Sequence, residues 1–256
     1  MIKFKKVNKV WPNGKHALSD INLNIDDGEF VAIVGLSGAG KTTLLKTINK
    51  FTPINSGEIE ITFKDDIFNI NTTKGRKLKE LRKKIGLMSQ EYNNIENQVA
   101  LKNVLNSRIS KMSFWRSIIG YFNKNDKLIA LSNLEKLNLL DYAYVRVDNL
   151  SGGQQQRIAL ARTLSQEPEL IIADEPVSAL DPILANQVMQ DFKLINKKEN
   201  ITIIINIHHI DLAIKYADRI IGLKDGLLVF DGKPKELTKD KLSVIYGDSY
   251  GDLKND

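Results

Sequence analysis

The stretch "FVAIVGLSGAGKTTLLKTINK", Phe30 to Lys50, runs from an unbroken apolar segment through a glycine-rich turn into a helical pattern. The apolar part, Phe30 to Gly35, has the length and β-branched content of a strand buried on both faces, the habit of parallel sheets. The turn that follows, "GLSGAGKT" from Gly35 to Thr42, fits G-x-x-x-x-G-K-[ST] and opens a helix. Gly35, Gly38 and Gly40 let successive N–H groups curl around an anion. Lys41 reaches β- and γ-phosphate oxygens, and the Thr42 hydroxyl ligates Mg2+. Ser37, Ala39 and Thr43 belong to the same binding loop. The helix dipole adds attraction for negative charge. The ligand this arrangement fits is a nucleoside triphosphate.

Further strands flank this unit. "IKFKKVNKV" and "INLNI" precede it, and "SGEIEITF", "KIGLMSQ", "ELIIADE" and "ITIIINIHH" follow. Helical patterns alternate with them at Gln155 to Ser165 and Leu184 to Lys197, which predicts an α/β core with helices packed on a parallel or mixed sheet. Between them, "ALKNVLNSRISKM" and "NDKLIALSNLEKLNLL" carry helical patterns and no strand. We therefore expect a single domain with its core in residues 1–95 and 148–246, a helical subdomain inserted at 96–147, and a polar tail at 247–256.

The strand "LIIADEP" ends on Asp174 and Glu175, at the edge where open α/β sheets bind ligands. Asp174 is placed to hold Mg2+ and Glu175 to polarise an attacking water. Taken alone, "DEP" reads equally well as a turn starting a helix, since acidic residues and proline favour that position.

Composition bounds the partners. With 42% hydrophobic and 27% charged residues the chain has an ordinary globular make-up, and its formal charge of +6 suits nucleotide phosphates, nucleic acid or an acidic lipid surface. Without cysteine, disulfides and thiolate metal sites are excluded. No apolar run reaches the length of a signal peptide or a membrane span.

A further stretch, "LSGGQQQR" at Leu150 to Arg157, offers a good helix N-cap in Ser151 but has no nucleophile or metal ligand. Together with "GLSGAGKT", "LIIADEP" and "SALD" it resembles the ATP-binding-cassette ATPases. That resemblance implies a nucleotide-binding α/β fold of the P-loop type (RecA-like), with an N-terminal antiparallel β subdomain and an inserted helical subdomain. It also implies a head-to-tail homodimer with ATP sandwiched between subunits. Ser151, Gly152, Gly153 and Gln154 would then grip the γ-phosphate of a nucleotide held mainly by the partner. Further positions match the family's pattern: Trp11 where an aromatic stacks on adenine, Gln90 as the Q-loop glutamine touching Mg2+ or water, Asp181 in the loop crossing the dimer, and His208 as the switch histidine. Each of these would be uninformative without the family frame.

Finer features, including "FWRSIIGYF" at Phe114 to Phe122, are similar to the ATP-binding subunits of phosphonate importers. The resemblance implies an ATPase peripheral to the cytoplasmic face of the cell membrane. Its partners would be membrane permease subunits and, indirectly, an extracytoplasmic solute-binding protein. Importers of amino acids or thiamine-type solutes share most of these features, and "FWRSIIGYF" reads equally as amphipathic packing. Nucleic acid is not an expected partner, because this chain has neither a second cassette nor a long coiled-coil insertion. Ser89, the polar "EYNNIENQVAL" and His209 depart from the commonest family pattern without touching the ATP chemistry.

Overall fold

The computed structural model describes residues 1–247 apart from 65, 90 and 92. In chain order the elements are β1 (Ile2–Val10), β2 (His16–Ile25), β3 (Phe30–Val34), α1 (Lys41–Ile48), β4 (Ser56–Phe63), β5 (Asp66–Asn69), α2 (Gly75–Lys84) and β6 (Ile85–Met88). A helical segment follows with α3 (Ala100–Asn106), α4 (Phe114–Ile119) and α5 (Lys124–Lys136), and then α6 (Gly152–Leu164). The chain returns to strands with β7 (Leu170–Asp174), α7 (Pro182–Glu199), β8 (Thr202–Asn206), α8 (Ile210–Tyr216), β9 (Arg219–Lys224), β10 (Leu227–Gly232) and α9 (Lys239–Tyr246).

These strands form two sheets. The N-terminal one is antiparallel with order β2-β1-β4-β5, and the larger one runs β10-β9-β3-β8-β7-β6. In the larger sheet β9, β3, β8, β7 and β6 are mutually parallel, and β10 joins the edge antiparallel. β3 and β8 are buried along their whole length, as their uninterrupted apolar runs require. Their period-two alternation divides the core into two layers. Phe30, Ala32 and Val34 with Ile203 and Ile205 share a layer with α3, α5, α6 and α7, while Val31, Ile33 and Ile204 share one with α1 and the antiparallel sheet. This order sets the P-loop strand β3 and the acidic strand β7 on either side of β8.

The antiparallel edge makes the sheet a mixed one, and its cause is local. Asp225 and Gly226 connect β9 to β10 with φ of +50° and +77°. Two left-handed residues make the tight hairpin turn that suits strand twist. The turn also braces the phosphate loop, because Gly226 N–H donates to Ala39 O at 3.0 Å and Ser19 N–H donates to Gly226 O at 2.8 Å.

In the helical segment, "ALKNVLNSRISKM" does not continue as one α-helix: α3 ends at Asn106 and Ser107–Lys111 tightens into a 3-10 turn. That turn brings the buried Arg108 guanidinium to Asp126 Oδ1 at 3.3 Å and to both Ser165 O and Glu167 Oε2 at 2.8 Å. Arg116 on α4 reaches the other oxygen of Asp126 at 2.6 Å. Asp126 also closes the capping box that starts α5. One buried carboxylate thus ties α4, α5 and the end of α6 together. Residues 248–256 of the expected polar tail lie outside the described residues.

Candidate active site

The phosphate loop owes its shape to glycines that no other residue could replace. Gly35 has φ +145° and a Cβ there would meet Leu223 O at 2.2 Å; Gly40 has φ +106° and a Cβ would meet Ala17 O at 2.3 Å. α1 starts directly after Gly40. Lys41 Nζ donates to Gly35 O at 2.7 Å and to Leu36 O at 3.0 Å, which leaves one of its three donors for a ligand. Burial pulls the Lys41 ammonium below its ordinary value, with Glu175 and Asp174 pulling the opposite way. A cavity of about 190 Å³ sits over the loop, lined by Ser37, Gly38, Gly40, Lys41, Thr42 and Thr43 together with Trp11, Lys15, Ala17 and Glu175. Trp11, in the turn between β1 and β2, is 38% exposed and has Lys9 Nζ 4.8 Å from its ring centroid. Its free face suits a flat heterocycle.

The two carboxylates stand where β7 ends. The Thr42 hydroxyl donates to Asp174 Oδ1 at 2.9 Å, joining loop and strand. Glu175 does not begin a helix. Its φ of +52° breaks the strand direction, and the next helix, α7, starts only at Pro182. Its backbone N–H donates to Asn206 O at 3.1 Å, and its Oε1 lies 2.6 Å from His208 Nε2. Among the described residues no group of three His, Asp or Glu forms a metal cage. The Thr42 hydroxyl and Asp174 carboxylate nonetheless fit Mg2+, a hard cation usually held by one or two protein oxygens plus phosphates and water. Gln90 lies outside the described residues.

Ser151 caps α6 in a reciprocal box: Gln154 N–H donates to Ser151 Oγ at 3.3 Å, and Ser151 N–H donates to Gln154 Oε1 at 2.9 Å. Gly152 is exposed, while Gly153 is buried against Leu184, where a Cβ would sit 3.0 Å from Leu184 Cδ2. Asp181 caps α7 by accepting the N–H groups of Ile183 and Leu184 at 2.9 and 3.0 Å. Arg157 and Asp191, 2.7 Å apart, join α6 to α7. None of Ser151, Gly152, Gly153, Gln154 or Asp181 lines the phosphate-loop cavity. Within one chain these residues and the phosphate-loop cavity are therefore separate surfaces. Sequence reasoning missed Lys15 and Asn206. No local pattern marks Lys15, whereas Asn206 could have been noticed as the polar end of the apolar strand "ITIIIN".

The family profile described as ABC transporter matches residues 18–178, from β2 through the acidic pair. The chain belongs to the ABC transporter family. Within this family it is 68% identical to the phosphonates import ATP-binding protein PhnC of Mesoplasma florum, covering 96% of this chain and 100% of that one. It is 66% identical to the same-named protein of Mycoplasma capricolum, covering 97% of this chain and 100% of the relative. Among solved ABC structures, a dimeric ATP-binding cassette bound to ADP and Pi in a post-hydrolysis state superposes with a TM-score of 0.77 at 36% identity, over 91% of this chain and 99% of that one. The cbiO1 cassette of Clostridium perfringens, part of an ABC transporter complex, gives 0.80 at 27% identity over 100% and 98%. Like other ABC cassettes this one is an α/β ATPase domain, and none of its described helices is long and apolar enough to cross a membrane.

Proposed function

We propose that this chain is the ATP-hydrolysing subunit of a phosphonate importer, acting as a head-to-tail homodimer beneath a separate membrane permease. The observation that carries the chemistry is the convergence of Lys41, Thr42, Asp174, Glu175 and His208 beside one phosphate loop. The cargo reading rests on identity of 68% and 66% over nearly full length to proteins named for phosphonate import.

Lys41 and the loop N–H groups bind the β- and γ-phosphates. Thr42, Asp174 and Gln90 are the residues that would hold Mg2+, which when bound neutralises charge on the transferring phosphoryl group. Glu175 accepts the proton of the attacking water, and His208 donates to the γ-phosphate or holds the Glu175 carboxylate in line. Trp11 stacks on adenine. The exposed signature surface, Ser151 to Gln154, and Asp181 complete the site of a second copy. A two-fold dimer lets each chain supply both kinds of surface. ATP favours the closed dimer, and hydrolysis with phosphate release reopens it.

The permease docks on the helical segment. Trp115 is 73% exposed, and Ile118, Ile119 and Tyr121 are 62%, 77% and 62% exposed, while Phe122 packs against the core, which supports these four side chains as a docking surface. An apolar patch of this kind is what a partner covers. The assembly holds the chain at the cytoplasmic face of the membrane as a peripheral subunit, with an extracytoplasmic solute-binding protein delivering cargo.

The test is a reconstituted complex in vesicles. A phosphonate or phosphate ester presented with its binding protein raises ATP hydrolysis, and Trp115→Ala weakens that stimulation. Stimulation by an amino acid or a phosphorus-free vitamin alone would overturn the cargo assignment and leave the ATPase intact.

A further inference from the structure

We infer that Asn206 is a positioning residue for the metal and nucleotide site: its buried carboxamide holds the Asp174 carboxylate in register with the Thr42 hydroxyl. This deepens the ATPase reading above and rests on it.

Sheet order puts Asn206 at the site. Because β8 lies between β3 and β7, its last residue is a neighbour of both the phosphate-loop strand and the acidic strand. Asn206 pairs in register with Ile33 on one side and with Asp174 on the other. Ile203, Ile204 and Ile205, which precede it, are fully buried and apolar. Asn206 is just as buried, and packing alone would be served by another isoleucine.

Its polar groups are spent on the site. Nδ2 donates to Asp174 Oδ1 at 2.7 Å and lies 3.4 Å from Thr42 Oγ1. A carboxylate only accepts, so the NH2 side of the amide must face it. Asp174 Oδ1 then receives two donors, from Thr42 and from Asn206. Thr42 directs its single O–H at that oxygen and keeps a lone pair for a cation. The backbone carbonyl of Asn206 holds the Glu175 N–H at 3.1 Å. One residue therefore touches both carboxylate-bearing positions.

Two features separate this from a structural amide. The Asn206 Oδ1 atom is buried and accepts no hydrogen bond among the described residues. Buried acceptors are normally matched, and the exceptions concentrate where function requires them. The amide is also neutral. A lysine or arginine at this position would orient Asp174 too, but would cancel the charge that attracts Mg2+; a carboxamide orients without neutralising.

The experiment compares wild type with Asn206→Leu in the full chain, using β,γ-imido ATP as the probe. Affinity is measured with Mg2+ and again in EDTA, and the melting temperature is recorded without nucleotide. The Mg2+-dependent gain in affinity falls about 10- to 100-fold in Asn206→Leu, the usual consequence of losing a partner that orients a metal ligand. Affinity in EDTA stays at the wild-type value. Asn206→Thr, which returns a hydroxyl donor on a β-branched frame, recovers most of the gain. If Asn206→Leu does not fold, Asn206→Ala supplies the same comparison. An unchanged Mg2+-dependent gain, with or without a lower melting temperature, overturns the inference. A wild-type chain with no Mg2+-dependent binding at all would instead overturn the ATPase reading.

Discussion

His208 Nε2 and Glu175 Oε1 lie 2.6 Å apart, joining the loop that follows β8 to the end of β7. The two groups form one hydrogen-bonded unit rather than two independent contacts. Glu175→Gln removes the proposed proton acceptor and is expected to slow hydrolysis by about 10²- to 10⁴-fold, the range for a general base. ATP binding persists. The double variant with His208→Ala is then no slower than the worse single, because members of a unit are not additive. Phosphate release and equilibrium ATP binding check both statements; wild-type turnover in Glu175→Gln would remove that residue from its role.

Ser151→Arg addresses the second surface. Since Ser151 to Gln154 do not line the cavity of their own chain, a bulky cation there leaves the monomer's ATP affinity nearly unchanged. ATP-driven dimerisation of the Glu175→Gln background, followed by light scattering, is abolished. A parallel loss of monomer binding would mean that the motif acts within its own chain.

Lys41 gives ATP binding an alkaline limit. Its folded pKa lies below that of a free lysine, with burial the largest cause. As pH rises, the native chain therefore loses this proton before the unfolded chain does. The unfolded state binds more protons in that window, so the Lys41 contribution favours folding increasingly up to the free-lysine value of about 10.4. Triphosphate binding draws on the charged ammonium, so affinity for ATP moves the other way and falls as pH rises, before that value is reached. Titrations from neutral pH to about pH 10 read this decline directly, and a flat profile contradicts it.

Asp126→Ala tests the buried hub. Burial by itself opposes the Asp126 charge, but the Asn123 N–H, Arg116 and Arg108 outweigh it and hold the carboxyl below its usual range. Removing it leaves Arg108 buried with Glu167 as its remaining anion, so we expect a loss near the lower end of the ~3–5 kcal/mol seen for broken buried pairs. The Asp126 contribution is fully present above the free-aspartate value of about 3.9 and disappears as pH falls through its lower folded value. Urea unfolding at neutral pH and at acid pH shows the gap between variant and wild type closing in acid.

The phosphate loop and the acidic strand end were legible because each is a contiguous run whose chemistry and secondary structure coincide. Lys15, in the turn before β2, and Asn206, at the end of β8, were not, since the fold brings them to the phosphate loop from parts of the chain far from it in sequence. The antiparallel strand of the mixed sheet enters through the β9–β10 hairpin, whose turn residues Asp225-Gly226 stand between apolar runs. α2 offers little to read: its sequence GRKLKELRKK buries only Leu81, so no apolar stripe emerges. "DEP" misleads for a physical reason. Its helix-starting composition is overridden at Glu175, whose left-handed backbone aims the side chain at His208.

That left-handed Glu175 has an evolutionary consequence. A residue with a Cβ held at φ +52° costs on the order of 1 kcal/mol or more, and glycine or asparagine there relieves it. Laboratory selection for heat resistance alone would therefore enrich Glu175→Gly or Glu175→Asn. Such lineages would gain thermal tolerance while losing turnover, so any screen that hardens this cassette has to select for phosphate release at the same time.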